Sequence, residues 1–316
     1  MTPISAADLE RLDRLAAERG ISLAEDAALA PLTTLRVGGP ADRLVAVHSR
    51  AELEAALGLA RDAGVPWFIL GNGSDLVVAD AGIRGLVIRN RARSVTIDGD
   101  ELRADAGAPM ALLVRRSTDA GLAGLEFGTS IPGTLGGAVW ANAGAHGREM
   151  QDVVIAVEAW EPSDGSIGSR DAAACDFAYR ESRFKHSHEV IVAATLSLGR
   201  DAPDAIAARV AEHQAQRVAT QPLADQNAGS VFRNPSGDHA GRLIDVAGLK
   251  GLRIGTASVS TLHANFIITD RGGRAADVRA LADQVRAEVA ARFGIQLAYE
   301  IEFVGDWPPG GGGAGP

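Results

Sequence analysis

The sequence predicts a mixed α/β part followed by a smaller α+β part, with the boundary near Arg200. Three observations carry this. Up to that point, helix-spaced segments alternate with short β-type runs, the pattern of interleaved helices and strands. Two later runs, VVIAVEAWE and EVIVAATLSL, are rich in Val and Ile and read as strands of one sheet. From Pro203 the texture changes to two long helical segments and a closing strand.

Taken in order, residues 7–19 have amphipathic helical spacing, with Gly20 as the stop. Ser49-Arg-Ala-Glu52 has the form of a capping box and opens a helix to about Ala63, stopped by Gly64. The runs PWFIL, DLVVAD, GLVIRN, SVTIDG and ELRADA read as strands, and Pro109 opens a helix that closes at Gly121. The segment GTSIPGTLGGAVWANAGAHG, residues 128–147, is too apolar for a solvent loop and too rich in glycine for a regular helix or strand. Residues 204–217 and 276–293 are helices, the second placing Val278, Leu281, Ala282, Val285, Val289 and Phe293 on one face before Gly294. QLAYEIEFVG then reads as a strand, and PPGGGGAGP as a linker-like tail. The tail matches G-x-G-x-x-G at Gly310, Gly312 and Gly315, but no strand or helix flanks it, so the match carries no weight.

Composition narrows the function classes. The 316 residues carry a net charge of −9, which argues against a nucleic-acid binder or a membrane-surface protein. No run approaches the length of a membrane span and residues 1–20 are charged, so a cytoplasmic globular protein is expected. The single cysteine, Cys175, sits beside Asp171 and Asp176 and is expected to be structural and reduced. No metal-ligand spacing is present.

Two segments read as anion cradles. LGNGSDLVV places Gly71, Asn72, Gly73, Ser74 and Asp75 after the strand WFIL, where consecutive amides converge and Ser74 adds a donor. Leu76 stands where a dinucleotide fingerprint needs its third glycine, and a strand rather than a helix follows. The second segment is the glycine-rich stretch itself, whose small residues let backbone approach a large ligand. Either one alone reads more readily as a pair of tight turns; together, in an acidic protein, they favour a cofactor with a pyrophosphate.

With these motifs in view, the chain resembles the UDP-N-acetylenolpyruvoylglucosamine reductase family. The likeness runs from TTLRVGGPA to YEIEFVG and includes LGNGSDLVV, IPGTLGGAVWANAGAHG, YRESRF, QPLADQNAGSVFRNP, AGRLIDVAGLKG and VSTLHANFI, in order. It implies a vanillyl-alcohol-oxidase-like flavin-binding domain of two subdomains over residues 22–200, split near 90. A C-terminal α+β substrate domain over 201–305 and a flexible tail over 306–316 follow. It implies FAD held by Gly71, Asn72, Gly73, Ser74 and Asp75 on one side. On the other side it implies Ile131, Pro132, Gly133, Gly136, Gly137, Ala138, Asn142 and Gly144. NADPH is the implied reductant, a UDP-sugar the implied substrate, and a monomer the expected state. Ser230 matches the proton donor, Arg180 and Glu300 the pair at the substrate carboxylate, and Asn234 a substrate-binding position. Thr261 stands where the family usually carries a charged residue, and IGTAS replaces a glycine pair.

The implied chemistry suits these residue types. Reducing an enolpyruvyl ether to a lactyl ether moves negative charge onto the carboxylate, and the adjacent carbon then needs a proton. Arginine meets a carboxylate with two donors where lysine offers a point charge. A serine placed against a strongly basic carbon acts as general acid. Glutamate beside a carboxylate helps only when protonated; burial raises its pKa and a nearby Arg180 lowers it, so both states stay open. Locally, Arg180 reads as an ion-pair partner, Ser230 as a turn residue, Glu300 as an exposed strand face and His263 as a core histidine. The resemblance overturns the first three. A flavoprotein oxidase or dehydrogenase of the same superfamily acting on another substrate is the alternative; a covalent flavin histidine would favour it, and the one histidine in the glycine segments, His146, is not matched to such a site. A catalytically silent flavin sensor is a third reading, disfavoured by the presence of Arg180, Ser230 and Glu300.

Overall fold

The computed structural model describes residues 4–308. The G-x-G-x-x-G match at 310–315 therefore lies outside the described residues.

The first layer pairs helices α1 (Ala6–Glu18) and α2 (Arg50–Ala63) with strands β1 (Ala24–Ala28), β2 (Pro40–Val47), β3 (Trp67–Leu70) and β5 (Ile83–Asn90). A separate short strand, β4 (Leu76–Val78), lies between β3 and β5 in the chain. The sheet order is β1-β2-β5-β3, with β2 and β3 each parallel to β5. Leu12 and Ala16 of α1 and Leu53, Leu57 and Ala60 of α2 pack on Val45, Leu86 and Ile88. This is the apolar stripe expected from their helical spacing. Ser49 accepts from the Glu52 amide, as a capping residue should. The return bond goes one residue earlier than expected: the Glu52 carboxylate accepts from the His48 amide at 2.9 Å. Gly64 closes α2 at φ 65°, a left-handed cap that suits glycine.

The second layer is a five-stranded antiparallel sheet of order β12-β11-β13-β7-β6. Its members are β6 (Val95–Asp98), β7 (Glu101–Asp105), β11 (Val154–Trp160), β12 (Ile167–Asp171) and β13 (Val190–Ser197). The two Val/Ile-rich runs are β11 and β13, neighbours as expected. Between β7 and β11 lie α3 (Met110–Asp119), β8 (Leu122–Ala123), α4 (Leu135–Trp140), β9 (Gly144–Ala145) and β10 (Arg148–Glu149). After β13 come β14 (Gly199–Arg200), which pairs with β8, and α5 (Pro203–Thr220). Met110, Leu113, Phe127, Leu135, Val139 and Leu196 are buried in one apolar cluster here.

Two findings differ from the sequence reading in this layer. The glycine-rich stretch contains a helix, α4. Leu135, Ala138 and Val139 bury their side chains, and that burial outweighs poor glycine propensity. A Cβ on Gly136 would stand 2.9 Å from the Ala106 Cβ, so the residue is glycine to let α4 sit on the chain after β7. Helix α5, placed by sequence at the start of the C-terminal part, packs on the second layer through Val210. Arg209 on Glu126 and Gln214 on Thr129 fix it there.

The third layer holds β15 (Gln226–Ser230), α6 (Ala240–Val246), β16 (Arg253–Ile254), β17 (Ala257–Val259), β18 (Phe266–Thr269) and α7 (Ala275–Phe293). The sheet order is β15-β18-β17-β16. Val278, Leu281, Ala282, Val285 and Val289 of α7 are buried against Val259, Ile267 and Phe232, and Leu35, Val37 and Val77 join the same cluster. The final expected strand shrinks to β19 (Glu302–Val304), which pairs in parallel with β4 rather than with this sheet. Its expected N-terminal half changes partners: Arg233 donates to the Ala298 carbonyl and Glu300 to the Val231 carbonyl before β19 turns to β4. A chain shared between two partners does not run as one strand. Asp306 and Trp307, assigned by sequence to the flexible tail, are packed. The Asp306 amide bonds Gly82, and Trp307 meets Phe303 edge-on with its indole N–H on the Val304 carbonyl.

Candidate functional site

All three layers border one cavity of about 2300 Å³. Pockets for a single small ligand are usually ~300–1,000 Å³, so this one has room for two.

The two glycine segments form facing walls and are joined. The Asn72 side chain donates to the Pro132 carbonyl at 2.9 Å. A Cβ on Gly71 would fall 2.8 Å from Thr134 Oγ1, so glycine permits the two walls to meet. Gly73 lies at φ 61°, its carbonyl accepting from the Thr34 amide. Gly133 and Gly137 serve differently: a Cβ there would meet nothing nearer than 3.4 Å and would project into free space, so glycine keeps the wall bare. Gly71, Asn72, Gly73, Ser74, Asp75, Ile131, Pro132, Gly133, Gly136, Gly137, Ala138 and Gly144 all line the cavity.

Two expected binding residues stand elsewhere. Asn142 is fully buried at φ 42° and spends its side chain on protein partners, so it has no edge to offer a cofactor. Its Nδ2 donates to Glu149 and to the Ala178 carbonyl, and its Oδ1 accepts from the Gln151 amide. Asn234 is outside the cavity lining; its Oδ1 accepts from the Ala240 amide at the start of α6, and its own amide donates to the Tyr179 hydroxyl.

Arg180, Ser230 and Glu300 all line this cavity, and Arg180 bonds Glu300. Arg180 sits at φ 57° in a tight turn closed by mutual backbone bonds between Ala178 and Glu181. Its Nε donates to Glu300 Oε1 at 2.7 Å and its Nη2 to the Gly144 carbonyl at 3.0 Å. Its Nη1 is buried with no hydrogen-bond partner. Glu149 Oε1 comes only within 3.5 Å of it, so this buried donor keeps a hydrogen bond open for an acceptor. Burial works against the Arg180 charge, but Glu300, with help from Tyr179 and Glu149, more than offsets this and raises its pKa. Ser230 ends β15 on the cavity wall, and the Glu300 amide bonds the carbonyl of its neighbour Val231.

Sequence reasoning missed several charged groups here. Lys185 Nζ bonds Glu302 Oε1 at 3.2 Å and lies 4.2 Å from the Trp140 ring centroid. The period-two spacing of Glu300 and Glu302 was the signal, since alternate strand positions share a face. Asp75 keeps a partly exposed edge, yet its carboxyl is surrounded by protein. Burial first, then Glu300 and Glu302, hold its pKa well above the ordinary carboxylate range. Arg36 at φ 59° and Arg217 on α5 also reach the cavity, and each bonds backbone carbonyls (Pro31 and Thr129) rather than a carboxylate.

The remaining candidates fall in place. His146 borders the cavity with Nε2 at 2.8 Å from Ser130 Oγ and its ring 3.8 Å from that of His213. His263 lies outside the cavity lining and accepts from the Asn265 amide, the structural role expected. Cys175 is buried, which pushes its thiol up to about 11. Among the described residues there is no cluster of metal-ligating side chains, and no helix long and apolar enough to cross a membrane.

Comparison with known proteins agrees with this geometry. Residues 41–169 match an FAD binding domain, and residues 221–304 match the C-terminal domain of UDP-N-acetylenolpyruvoylglucosamine reductase, which begins just after α5. UDP-N-acetylenolpyruvoylglucosamine reductase 2 of Symbiobacterium thermophilum is 43% identical over 87% of this chain and 90% of its own. The reductase of Moorella thermoacetica is 45% identical over 87% and 90%. The crystal structure of the Thermus caldophilus reductase superposes with a TM-score of 0.78 at 36% identity, covering 91% of this chain and 99% of that one. On these grounds the chain belongs to the UDP-N-acetylenolpyruvoylglucosamine reductase family, and its fold is the flavin-binding architecture with a C-terminal α+β part.

Proposed function

We propose that this protein is an FAD- and NADPH-dependent oxidoreductase that reduces the enolpyruvyl ether of UDP-N-acetylglucosamine enolpyruvate to UDP-N-acetylmuramate, for peptidoglycan precursor synthesis. The observation that carries this is that Arg180, paired with Glu300, and Ser230 line one cavity walled by both glycine segments. The walls suit FAD. Gly133 and Gly137 leave bare backbone where a side chain would occupy the cavity, and Asn72 holds the two walls at a fixed spacing.

FAD held between the two glycine walls would supply the hydride chemistry, passing reducing equivalents from NADPH to the terminal carbon of the enolpyruvyl group. The chain's residues handle the charge and the proton. Arg180 meets the substrate carboxylate with its unpaired Nη1, a donor already aimed where negative charge grows. Glu300 takes Nε and so fixes one edge of the guanidinium plane. Ser230 gives its hydroxyl proton to the carbon beside the carboxylate. Lys185 and Arg180 set positive charge among Asp75, Glu149, Glu300 and Glu302, and burial, then Glu300 and Glu302, raise the Asp75 carboxyl pKa there.

The experiment is anaerobic stopped-flow absorbance of the two half-reactions. NADPH should bleach a yellow protein, and the enolpyruvyl substrate should restore the colour. A colourless protein that takes up no FAD, or a reduced one that the substrate leaves bleached, would overturn the reading. The protein is further proposed to act as a cytoplasmic monomer, which size-exclusion chromatography with light scattering checks by mass.

A further inference from the structure

A guanidinium beside a carboxylate ordinarily closes on it as a two-point fork, spending two donors. Arg180 does not: Glu300 receives Nε alone. The difference lies in the β9–β10 ribbon. Gly144 and Glu149 face each other in its register, and between them they meet the two terminal nitrogens: the Gly144 carbonyl occupies Nη2, the second donor of the fork that Glu300 would otherwise close, and Glu149 faces Nη1. The Gly144 carbonyl takes Nη2 at 3.0 Å, and Glu149 Oε1 lies 3.5 Å from Nη1. That last distance is beyond a normal N–H···O bond of ~2.7–3.2 Å, so the carboxylate attracts Nη1 without consuming its donor.

Glu149 is itself fixed, and its two oxygens have different partners. Oε2 accepts from Asn142 Nδ2 at 3.0 Å and from Gln151 Nε2 at 2.9 Å, which leaves Oε1 to face Arg180. Asn142 Nδ2 also donates to the Ala178 carbonyl at 2.8 Å, in the turn that holds Arg180. One fully buried asparagine in a left-handed conformation thus ties the ribbon to that turn. Such conformations are rare outside glycine and persist where surrounding contacts impose them.

We propose that Glu149, anchored by Asn142, is a positioning residue for Arg180: with the Gly144 carbonyl on Nη2, its Oε1 holds the outer edge of the guanidinium plane and keeps the Nη1 donor open to the substrate carboxylate. The inference rests on the reading of Arg180 as the carboxylate-binding group.

Glu149→Gln isolates the role. The amides of Asn142 and Gln151 still need an oxygen at the Oε2 position, so the new NH2 must face Arg180, where it offers a donor to a donor. The test is a double-mutant cycle of Glu149→Gln with Arg180→Lys in the FAD-loaded protein. It is read by thermal melting, FAD affinity and stopped-flow of both half-reactions. Misplacement of a reacting group by about 1 Å costs up to ~10²-fold, so the substrate half-reaction of Glu149→Gln should slow by roughly 10- to 100-fold. Melting, FAD affinity and the NADPH half-reaction should stay near wild type. In the Arg180→Lys background, Glu149→Gln should slow the substrate step no further, because its effect passes through Arg180. If Glu149→Gln does not fold, Glu149→Asp takes its place in the same cycle under the same criterion.

Equal slowing of both half-reactions with a lowered melting temperature would assign Glu149 a purely structural role and overturn the inference. Additive effects in the cycle, or a normal substrate step in Glu149→Gln while Arg180→Lys is slow, would overturn it and leave the proposed function intact. A normal substrate step in Arg180→Lys would instead remove Arg180 from the carboxylate site, and this inference with it.

Discussion

Arg180→Lys keeps a cation but removes the planar fork that holds Glu300, Gly144 and an open Nη1 at once. The NADPH half-reaction should run at a near-normal rate, and reoxidation by the enolpyruvyl substrate should slow sharply. Loss of FAD affinity alone in stopped-flow and titration would assign Arg180 to the cofactor. Ser230→Ala is the sharper test. Hydride transfer from NADPH needs no proton from this serine, so the first half-reaction should survive. The second should fall by roughly 10²–10⁴-fold, the usual cost of removing a placed acid. Ser230→Cys should recover part of that, since a thiol of similar reach also donates. An Ala variant with normal turnover would remove Ser230 from the mechanism.

Helix α4 (Leu135–Trp140) places neighbouring glycines in two different roles. Gly136→Ala drives a methyl against Ala106, and overpacking of this kind costs about 1–3 kcal/mol, readable as a lower denaturant midpoint. Gly137→Ala meets nothing closer than 3.7 Å from protein, so the apoprotein should melt as wild type or slightly higher, helix propensity now favouring it. Its FAD affinity should drop, because the methyl enters the cavity; flavin fluorescence titration of the two apoproteins separates these effects. At this scale the sequence was legible where local signals agreed. α2 and α7 (Ala275–Phe293) have apolar spacing and left-handed glycine caps at Gly64 and Gly294, and both stand within a residue or two of expectation. α4 was hidden because the burial of Leu135 and Val139 is a tertiary fact that its glycines outvote locally. The docking of α5 (Pro203–Thr220) was hidden for a similar reason: Arg209 finds Glu126 only in three dimensions. Within the site, motif resemblance led to Arg180, Ser230 and Glu300. The burial of Asn142 and the opposed oxygens of Glu149 depend on side-chain direction, which no spacing encodes.

Across the whole molecule, charge and connectivity meet at Asp75. Its folded pKa is raised above the unfolded value of ~3.9, so the folded state binds its proton more tightly. That stabilising contribution is complete below the unfolded pKa and is lost as pH rises through the higher folded value. Asp75→Asn should therefore stabilise the apoprotein at pH 8 and lose its advantage towards pH 4, as urea melts along the pH series would show; a constant gap would deny the shift. The backbone beside Asp75 is completed only by the end of the chain: the Glu302 amide bonds the Asp75 carbonyl, and β19 (Glu302–Val304) lies parallel to β4 (Leu76–Val78). A ribosome releases the glycine walls well before this closing strand, so a nascent chain carries an open, unfinished cradle until residue 304 is made. Flavin loading should wait for that strand, and a chain terminated after Phe293 should emerge without colour however well its first two layers fold.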